Sequence, residues 1–263
     1  MTSFVTIFSF NPKRRFFRYR WAKFLPISRR LNNFGDLLGP IIVAKLLADK
    51  QLHQSAVSGG RTLFTVGSVL HFAKDNDVVW GSGRNGKIPA DRHLFTKLDV
   101  RATRGPMTRG FLREYGIEVP LIYGDPALLL PVLFPELQER IAKRRPHIFI
   151  PNYNDINLIK TKVPIISPNQ NPWKVIDIIR ESEFVSASSL HGIILAEALG
   201  VPCRVVLSRT ENTFKYLDYF LGTGRQHIDF ASDPEEAEKM GGHKHMIWSP
   251  DRLLSSFPYD LFL

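Results

Sequence analysis

Short apolar runs alternate with amphipathic segments along most of this chain, and turns rich in Gly, Ser, Asn or Asp follow many of the runs. RTLFT, DVVW, HIFIP, FVSAS and CRVVLS have the length and composition of buried strands. GPMTRGFLREYGI and NPWKVIDIIRES have the period of helices that bury one face. Strands that alternate with helices form parallel sheets covered by helices. We therefore expect an α/β protein.

A charged segment bounded by prolines, FPELQERIAKRRP, divides these elements into two sets and predicts a linker or a bridging helix. We expect two Rossmann-like halves that face each other across a cleft, residues 1–143 and residues 144–263. Further strands are expected at PLIYG, residues 120–124, and at VPIIS, residues 163–167. Ligands of open parallel sheets bind beyond the carboxyl ends of the strands. The polar residues that follow the predicted strands are therefore candidates for a site.

The positive charge is concentrated near the start of the chain. The net charge is +10, and residues 13–30 contain eight Lys or Arg and no acid, which leaves only +2 on the rest. Aromatic residues lie between these charges, so the segment predicts either a solvated basic arm or a contact with an anionic membrane. Nucleic-acid binding is the remaining alternative. We do not expect it, because no RNP, zinc-finger or helix-turn-helix signature is present.

Other features favour a cytoplasmic enzyme without a metal. Cys203 is the single cysteine, which excludes a disulfide framework and fits a reducing compartment. No apolar run approaches the roughly 18–20 residues of a membrane span, and the first charges follow the apolar start, unlike those of a signal peptide. His243 and His245 have too few potential ligands nearby for a metal site.

The turn SASSLHG is the first candidate site, because it joins a predicted strand to a predicted helix. A helix N-terminus attracts anions, and the Ser188 and Ser189 hydroxyls could donate to a phosphate or carboxylate. His191, followed by Gly192, can hold an anion or exchange a proton with a hydroxyl. The alternative is a serine cap with a half-buried histidine that donates to a backbone carbonyl.

Three further turns could contribute to the same site. Arginines match carboxylates and phosphates bidentately, although they could also be surface residues. Asp36 could accept hydrogen bonds from sugar hydroxyls or simply cap a helix. The glycine-rich turn could hold a phosphate, but it lacks both the GxGxxG spacing and a Walker ending. Glu197 and Glu211 are expected at the cleft edge as potential acids or bases. The residues of the three turns are Arg101 and Arg104; Asn33, Gly35 and Asp36; Gly81, Ser82 and Gly83.

Five segments in order, NFGD, VWGSGRNG, RGPMT, GDPALLLP and SSLHG, resemble the polysaccharide pyruvyl transferase family over about residues 31–210. Bacterial exopolysaccharide ketal pyruvyltransferases are particularly similar. The resemblance implies a GT-B-like fold, phosphoenolpyruvate as donor and no further cofactor. It implies, as acceptor, a sugar of an exopolysaccharide or of its lipid-linked repeat unit. The product would be a cyclic pyruvate ketal, with release of phosphate.

Carried over by position, the resemblance implies catalytic roles for His191 and Arg104, and Asn33, Gly35 and Asp36 match the amino-terminal motif. Many family members have Arg-x-His-Gly where this chain has Ser189-Leu190-His191-Gly192, so Ser189 stands at the position of the arginine. If that arginine holds the donor's carboxylate or phosphate, another group must do so here, and Arg101, Arg104 and the helix N-terminus are the candidates. Two alternative functions are a sugar-nucleotide glycosyltransferase with the same fold and a non-enzymatic nucleic-acid-binding protein.

Overall fold

Two parallel sheets organise the residues that the computed structural model describes, which are 3–14, 29–53, 56–57 and 60–263. In chain order the strands are β1 Ser3–Phe4, β2 Thr6–Ile7, β3 Lys13–Arg14, β4 Arg29–Arg30, β5 Ala56–Val57, β6 Thr62–Phe64, β7 Val78–Trp80, β8 Asp99–Ala102, β9 Arg145–Ile150, β10 Ser182–Ala187 and β11 Cys203–Val205. The helices are α1 Leu38–Asp49, α2 Pro106–Glu114, α3 Leu130–Leu133, α4 Pro172–Arg180, α5 Leu190–Ala198, α6 Phe214–Gly222, α7 Pro234–Met240 and α8 Asp251–Ser255.

The first sheet has the order β2-β6-β7-β8 and the second has the order β11-β10-β9, and all pairs in both sheets are parallel. Two short antiparallel pairs, β1 with β5 and β3 with β4, lie outside them. The alternation of strands and helices therefore predicted the α/β class and the parallel sheets correctly. Of the basic arm 13–30, residues 15–28 lie outside the described part of the chain.

One hydrophobic core joins the two sheets. It includes Trp80 of the first sheet, Ile150 and Val185 of the second, and apolar residues of α1 and α5, which are rich in buried Leu and Ile. Burial of each such side chain contributes about 1.5–3 kcal/mol. The two sheets are thus held by a common set of apolar contacts rather than by a flexible hinge alone.

The chain returns to the first sheet at its carboxyl end. Trp80 Nε1 donates to Leu253 O at 3.0 Å, and its ring meets that of Phe257 edge to face at 4.9 Å between centroids. Trp248 Nε1 donates to Tyr123 O at 2.8 Å. Residues 248–262 therefore pack against the half of the protein that precedes the linker. No helix in the described ranges has both the length and the apolar character to cross a bilayer.

Residues close in the chain fix the helix ends. The Asn171 side chain accepts from Trp173 N at 2.9 Å and caps α4. Gly116 and Gly200 follow α2 and α5 with φ of 72° and 68°. This left-handed conformation favours glycine after a helix.

Two predicted strands do not form. Residues 120–124 contribute only the bridge between Thr103 and Tyr123, in which Ile122 O and Gly124 N bond to Thr103, and the chain turns at Gly124 with a φ of 149°. Residues 163–167 contribute only the bridge between Phe149 and Ile165, because Pro164 has no N–H for a longer ladder. The segment 134–146 is a linker that starts with a 3₁₀ turn at Pro135–Gln138, not a bridging helix.

Candidate active site

A cavity of about 230 Å³ lies at the carboxyl ends of strands from both sheets, where ligands of open parallel sheets bind. This volume is below the range of roughly 300–1,000 Å³ for drug-sized ligands, and it suits a small ligand. Its lining includes Ser68 after β6, Asn85 after β7 and Arg104 after β8, together with Asn152 after β9 and Ser189 after β10. The loops that follow five parallel strands therefore meet at one place.

His191 lies in the first turn of α5 and lines this cavity. Its Nε2 is 3.8 Å from Oδ2 of Asp125, and neither atom has a hydrogen-bond partner although both are buried. The distance is too long for a hydrogen bond. Burial, and then the positive charges of Arg104 and Lys215, lower the pKa of His191 to about 3. The imidazole is therefore neutral at physiological pH, which corrects the expectation that it can hold an anion as a cation in the empty site.

The amino-terminal motif contacts His191 directly. A Cβ on Gly35 would overlap Nδ1 of the imidazole, so only glycine fits between the backbone and the ring. Asn33 Oδ1 accepts from Gly35 N at 3.1 Å and fixes this turn. With Nε2 facing Asp125 and Nδ1 beside Gly35, the histidine is confined between NFGD and GDPALLLP. The structure thus brings together three of the five segments that were singled out in the sequence.

Two carboxyl groups in this region retain protons to an unusually high pH. Burial raises the pKa of Asp36, which lines the cavity, to about 7, although the Lys215 charge opposes the shift. Burial also raises the pKa of Asp125 to about 6, against a hydrogen bond from Ala127 N at 3.0 Å and the charge of Arg104. At neutral pH, the protonated and ionised forms of Asp36 are therefore present in comparable proportions, and the residue can give or accept a proton.

Arg104 borders the cavity, and each of its three guanidinium nitrogens bonds to a protein group. It is completely buried and forms an ion pair with Asp218 of α6 at 3.1 Å. It also donates to Ser68 Oγ at 2.6 Å and to Arg84 O at 3.2 Å. The expectation that Arg104 grips the donor bidentately therefore does not fit this geometry. Its positive charge still acts on the cavity.

Three other predicted residues, Ser82, Ser188 and Arg101, do not line the cavity, whereas Ser189 does. Ser82 Oγ donates to Gly67 O at 3.0 Å, and Ser188 Oγ accepts from Asn152 N at 2.8 Å, so both hydroxyls hold loops. Ser189 lines the cavity and caps α5, where its Oγ accepts from Gly192 N at 3.4 Å. Arg101 pairs with Asp99 at 2.6 Å and with Asp260 at 2.7 Å on the outside of the first sheet. We no longer assign Arg101 to the site.

Close packing explains the predicted glycines. A Cβ on Gly81 would overlap Pro126, and a Cβ on Gly83 would overlap the Arg104 guanidinium. A Cβ on Gly192 would lie 3.0 Å from the Ala187 Cβ, which brings α5 close to β10. The expected phosphate-binding role of Gly81, Ser82 and Gly83 is therefore replaced by a packing role.

The other candidate acids and histidines separate into two places. Glu211 lines the cavity, whereas Glu197 accepts from Arg225 and Tyr219 at a different surface. His243 Nε2 accepts from Val205 N at 2.9 Å. Within the described ranges, no cluster of three or more His, Cys, Asp or Glu could hold a metal ion.

Sequence reasoning missed Lys215 and Asp218, both buried on α6. Lys215 Nζ is 3.3 Å from Glu211 Oε2, and the lysine lines the cavity. The weak signal in the sequence was a lysine and an aspartate within the aromatic-rich helix FKYLDYFLG. On most amphipathic helices such charges face solvent. Their burial here depends on how α6 packs against α2.

Comparisons with known proteins identify relatives of this chain. The sequence model of the polysaccharide pyruvyl transferase family matches residues 4–209. The succinoglycan biosynthesis protein ExoV of Rhizobium meliloti is 34% identical over 172 residues, which cover 60% of this chain and 52% of that protein. An uncharacterized protein of Acanthamoeba polyphaga mimivirus is 27% identical over 170 residues, 59% of this chain and 57% of the relative. This chain thus spans about half the length of these curated relatives.

A solved structure shares the fold. The crystal structure of a functionally uncharacterized protein of Klebsiella pneumoniae aligns with a TM-score of 0.53 and 13% identity, over 88% of this chain and 93% of that one. At this identity the likeness concerns the fold alone.

Proposed function

This chain belongs to the polysaccharide pyruvyl transferase family, and we propose from that premise that it transfers pyruvate from phosphoenolpyruvate to a sugar. The acceptor is part of an exopolysaccharide or of its lipid-linked repeat unit. A relative named for succinoglycan biosynthesis supports a polysaccharide acceptor. The product is a cyclic ketal that bridges two sugar hydroxyls, and phosphate is released. The reaction takes place in the cytoplasm, at the inner face of the membrane.

The proposed architecture is a GT-B-like pair of halves, residues 1–143 and 144–263. Every strand of the four-stranded sheet precedes residue 143, and every strand of the three-stranded sheet follows residue 144, which supports this division. Both halves contribute to the cavity lining. A donor bound there touches both halves and excludes water from the reacting carbon.

The observation that carries the proposal is the pairing, in one cavity, of a carboxyl group whose pKa is raised to about 7 with a neutral histidine. Groups whose environments push their pKa values apart are suited to opposite proton transfers. Asp36 gives its proton to the methylene carbon of the donor, which leaves a positive charge on the adjacent carbon. A sugar hydroxyl adds to that carbon, and His191 takes the hydroxyl proton. Phosphate then leaves with the electron pair of its C–O bond and takes the proton that His191 holds. The second hydroxyl closes the ketal and gives its proton to the Asp36 carboxylate, which restores the acid.

Asp125 and His191 give this assignment its geometry. Nε2 of His191 faces the Asp125 carboxyl and Nδ1 lies beside Gly35, so the two turns fix the orientation of the imidazole. The 3.8 Å separation shortens when the donor binds, because catalytic hydrogen bonds often tighten only in the complex. Donor charge near His191 also favours the protonated imidazole that forms during the reaction.

The test is incubation with phosphoenolpyruvate and a panel of lipid-linked saccharides, with phosphate release and product mass as readouts. We expect phosphate release that depends on the acceptor, and a mass gain equal to pyruvic acid less one water. A gain of a whole hexose from a nucleotide sugar, with phosphoenolpyruvate inert, would instead establish a glycosyltransferase.

The basic arm supports an attachment to anionic membrane. Strands β3 and β4 pair Lys13 with Arg30 and so bring the two ends of the arm together. Phe10 and Leu31, which flank this pair, line the cavity. A membrane bound by the arm therefore lies near the proposed site for a lipid-linked acceptor.

Replacement of Arg15, Arg18, Arg20 and Lys23 by Gln is expected to weaken binding to vesicles that contain anionic lipid, and the wild-type binding is expected to fall with salt. Co-sedimentation with anionic and neutral vesicles measures the effect. Equal partitioning of the variant and the wild type would exclude this role for the arm.

A further inference from the structure

A buried lysine projects from α6 to the wall of the cavity. Lys215 is 9% exposed and lines the same space as Ser189, His191 and Asp36. We propose that Lys215 binds an anionic group of phosphoenolpyruvate. The inference rests on the proposed function, since it assigns the donor's partner in that site.

The short side chain at residue 189 leaves the anion without a partner from α5. Ser189 Oγ accepts from Gly192 N and caps its helix, so the hydroxyl is already used. On α6, Tyr216 Oη donates to Ser188 O at 2.6 Å. The residue next to Lys215 is thus bonded directly to the serine–histidine turn, and this contact holds the lysine opposite the end of α5.

The nearby arginines cannot take this part. Arg104 has its guanidinium committed to Asp218, Ser68 and Arg84 O, and Arg101 is paired on the outside of the first sheet. An ammonium group has three donors. Glu211, at 3.3 Å, is the partner that the structure gives the Lys215 ammonium, and Glu211 also binds Lys87 at 2.5 Å. Lys215 therefore has donor capacity to spare for a ligand.

The electrostatics of the empty cavity fit a site built for an anion. Burial is the main cause that lowers the pKa of Lys215, and Glu211 opposes it. The Lys215 charge in turn adds to the lowering of the His191 pKa and opposes the raising of the Asp36 pKa by burial. A bound anion would offset the cost of this buried positive charge and so gain binding energy from it.

The test compares Lys215→Met with Lys87→Met. Both substitutions remove a lysine from Glu211, but only Lys215 lines the cavity, so the second variant controls for the loss of the Glu211 partner. Calorimetry without acceptor measures binding of phosphoenolpyruvate, of inorganic phosphate and of pyruvate. We expect Lys215→Met to weaken phosphoenolpyruvate binding by at least about 30-fold, and Lys87→Met to bind within about 3-fold of the wild type. The probe whose binding falls with it, phosphate or pyruvate, identifies the group that Lys215 holds.

Phosphoenolpyruvate binding by Lys215→Met within about 3-fold of the wild type would overturn the inference. An equal loss of binding in both variants would also overturn it, because the loss of a Glu211 partner would then explain the effect. If Lys215→Met does not fold, Lys215→Gln keeps a polar partner for Glu211 and gives the same comparison. Because binding is measured without turnover, this failure is distinct from that of the proposed function. A wild-type chain that binds phosphoenolpyruvate without ever transferring pyruvate refutes the reaction but leaves the Lys215 comparison intact.

Discussion

At the scale of single residues, burial decides which group gives a proton and which takes one. Asp36 and His191 border the same cavity, yet burial raises the pKa of the first and lowers that of the second. Both shifts favour the neutral form, as expected for groups removed from water. At pH 7 the imidazole is neutral and a large fraction of Asp36 is protonated, so in the proposed reaction one can take a proton and the other can give one.

Replacement of His191 by Ala is expected to lower turnover by about 10²- to 10⁴-fold, the usual contribution of positioned proton transfer. Folding should change little, because Nε2 of His191 has no hydrogen-bond partner to lose. Steady-state kinetics and circular dichroism measure the two effects, with exposed His245→Ala as the matched control outside the cavity. Wild-type turnover of His191→Ala would remove this histidine from the mechanism.

Replacement of Asp36 by Asn is expected to abolish the alkaline limb of the pH profile. Because the pKa of Asp36 is about 7, the fraction of free enzyme in which this carboxyl is protonated falls above neutral pH. Wild-type kcat/KM should therefore fall tenfold per pH unit there. The variant has no proton to lose, and its residual activity should lack this limb. A variant with a wild-type profile would show that another group is the acid.

The same substitution is expected to stabilise the fold at neutral and higher pH. The folded pKa of Asp36 is raised above its ordinary value of 3.8, so the folded state binds more protons between pH 4 and 7. Stability is therefore lost as the pH rises through this window, where the buried carboxylate must ionise. Asp36→Asn should gain on the order of 1–3 kcal/mol in urea unfolding at pH 8 and little at pH 4. If Asp36→Asn changed the free energy of unfolding equally at pH 4 and at pH 8, the burial of this carboxyl group would be contradicted.

At the scale of elements, glycines set how closely the loops and helices approach one another. Gly83 lets the turn after β7 lie against the Arg104 guanidinium, and Gly105 lets α2 approach the backbone of α6. In each case a Cβ would overlap the neighbouring group. These glycines belong to motifs that suggested ligand binding, and their structural role is to make the site compact.

Replacement of Gly83 by Ala is expected to destabilise the protein by roughly 1–3 kcal/mol, because the methyl group displaces Arg104 from its partners. Gly110→Ala is the matched control in α2, where a Cβ meets no atom within 4 Å. That variant should gain about 0.5–1 kcal/mol from the restricted unfolded chain and the better helix propensity. Urea unfolding measures both, and equal stability of the two variants would show that Gly83 is not tightly packed.

Local sequence signals predicted the helices and strands better than they predicted the contacts between them. Helix ends at Asn171, Gly116 and Gly200 were predictable, because caps and positive φ angles are fixed by neighbours in the chain. The strand expected at residues 120–124 is reduced to one bridge, and on its other side Trp248, far away in sequence, donates to the Tyr123 carbonyl. Such long-range contacts have no local signature.

The candidate site divides in the same way. His191, Asp36 and Asn33 stand out in the sequence because they follow strands or open helices in turns of small polar residues. Lys215 and Asp218 do not, because their burial follows from the crossing of α6 over α2 at Gly105. Arg101 and Arg104 look alike in the sequence, but the pleat and the following turn send one outward to Asp260 and the other inward to Asp218.

At the scale of the whole molecule, a buried ion pair connects the two halves. Arg104 follows the last strand of the first sheet, and Asp218 lies on α6 after the last strand of the second. Both side chains are completely buried, and Asp218 also accepts from Thr108 N at 2.9 Å and from Thr108 Oγ1 at 2.6 Å. Because Arg104 lines the cavity, the ion pair that joins the halves also fixes one wall of the proposed donor site.

A double-mutant cycle on Arg104→Met and Asp218→Asn tests whether this pair makes the two halves unfold as one unit. Removing one partner leaves the other charge buried and uncompensated, so each single variant should lose about 3–5 kcal/mol in urea unfolding. The double variant removes both charges and should lose less than the sum, by about 0.5–3 kcal/mol of coupling. The wild type should unfold in a single transition, because the halves also share the hydrophobic core around Trp80 and Ile150. The single variants should separate it into two, because the uncompensated buried charge weakens the contact between the halves while each half keeps its own sheet and helices. Strictly additive losses, or two transitions already in the wild type, would mean that the pair only fills space between domains that fold independently.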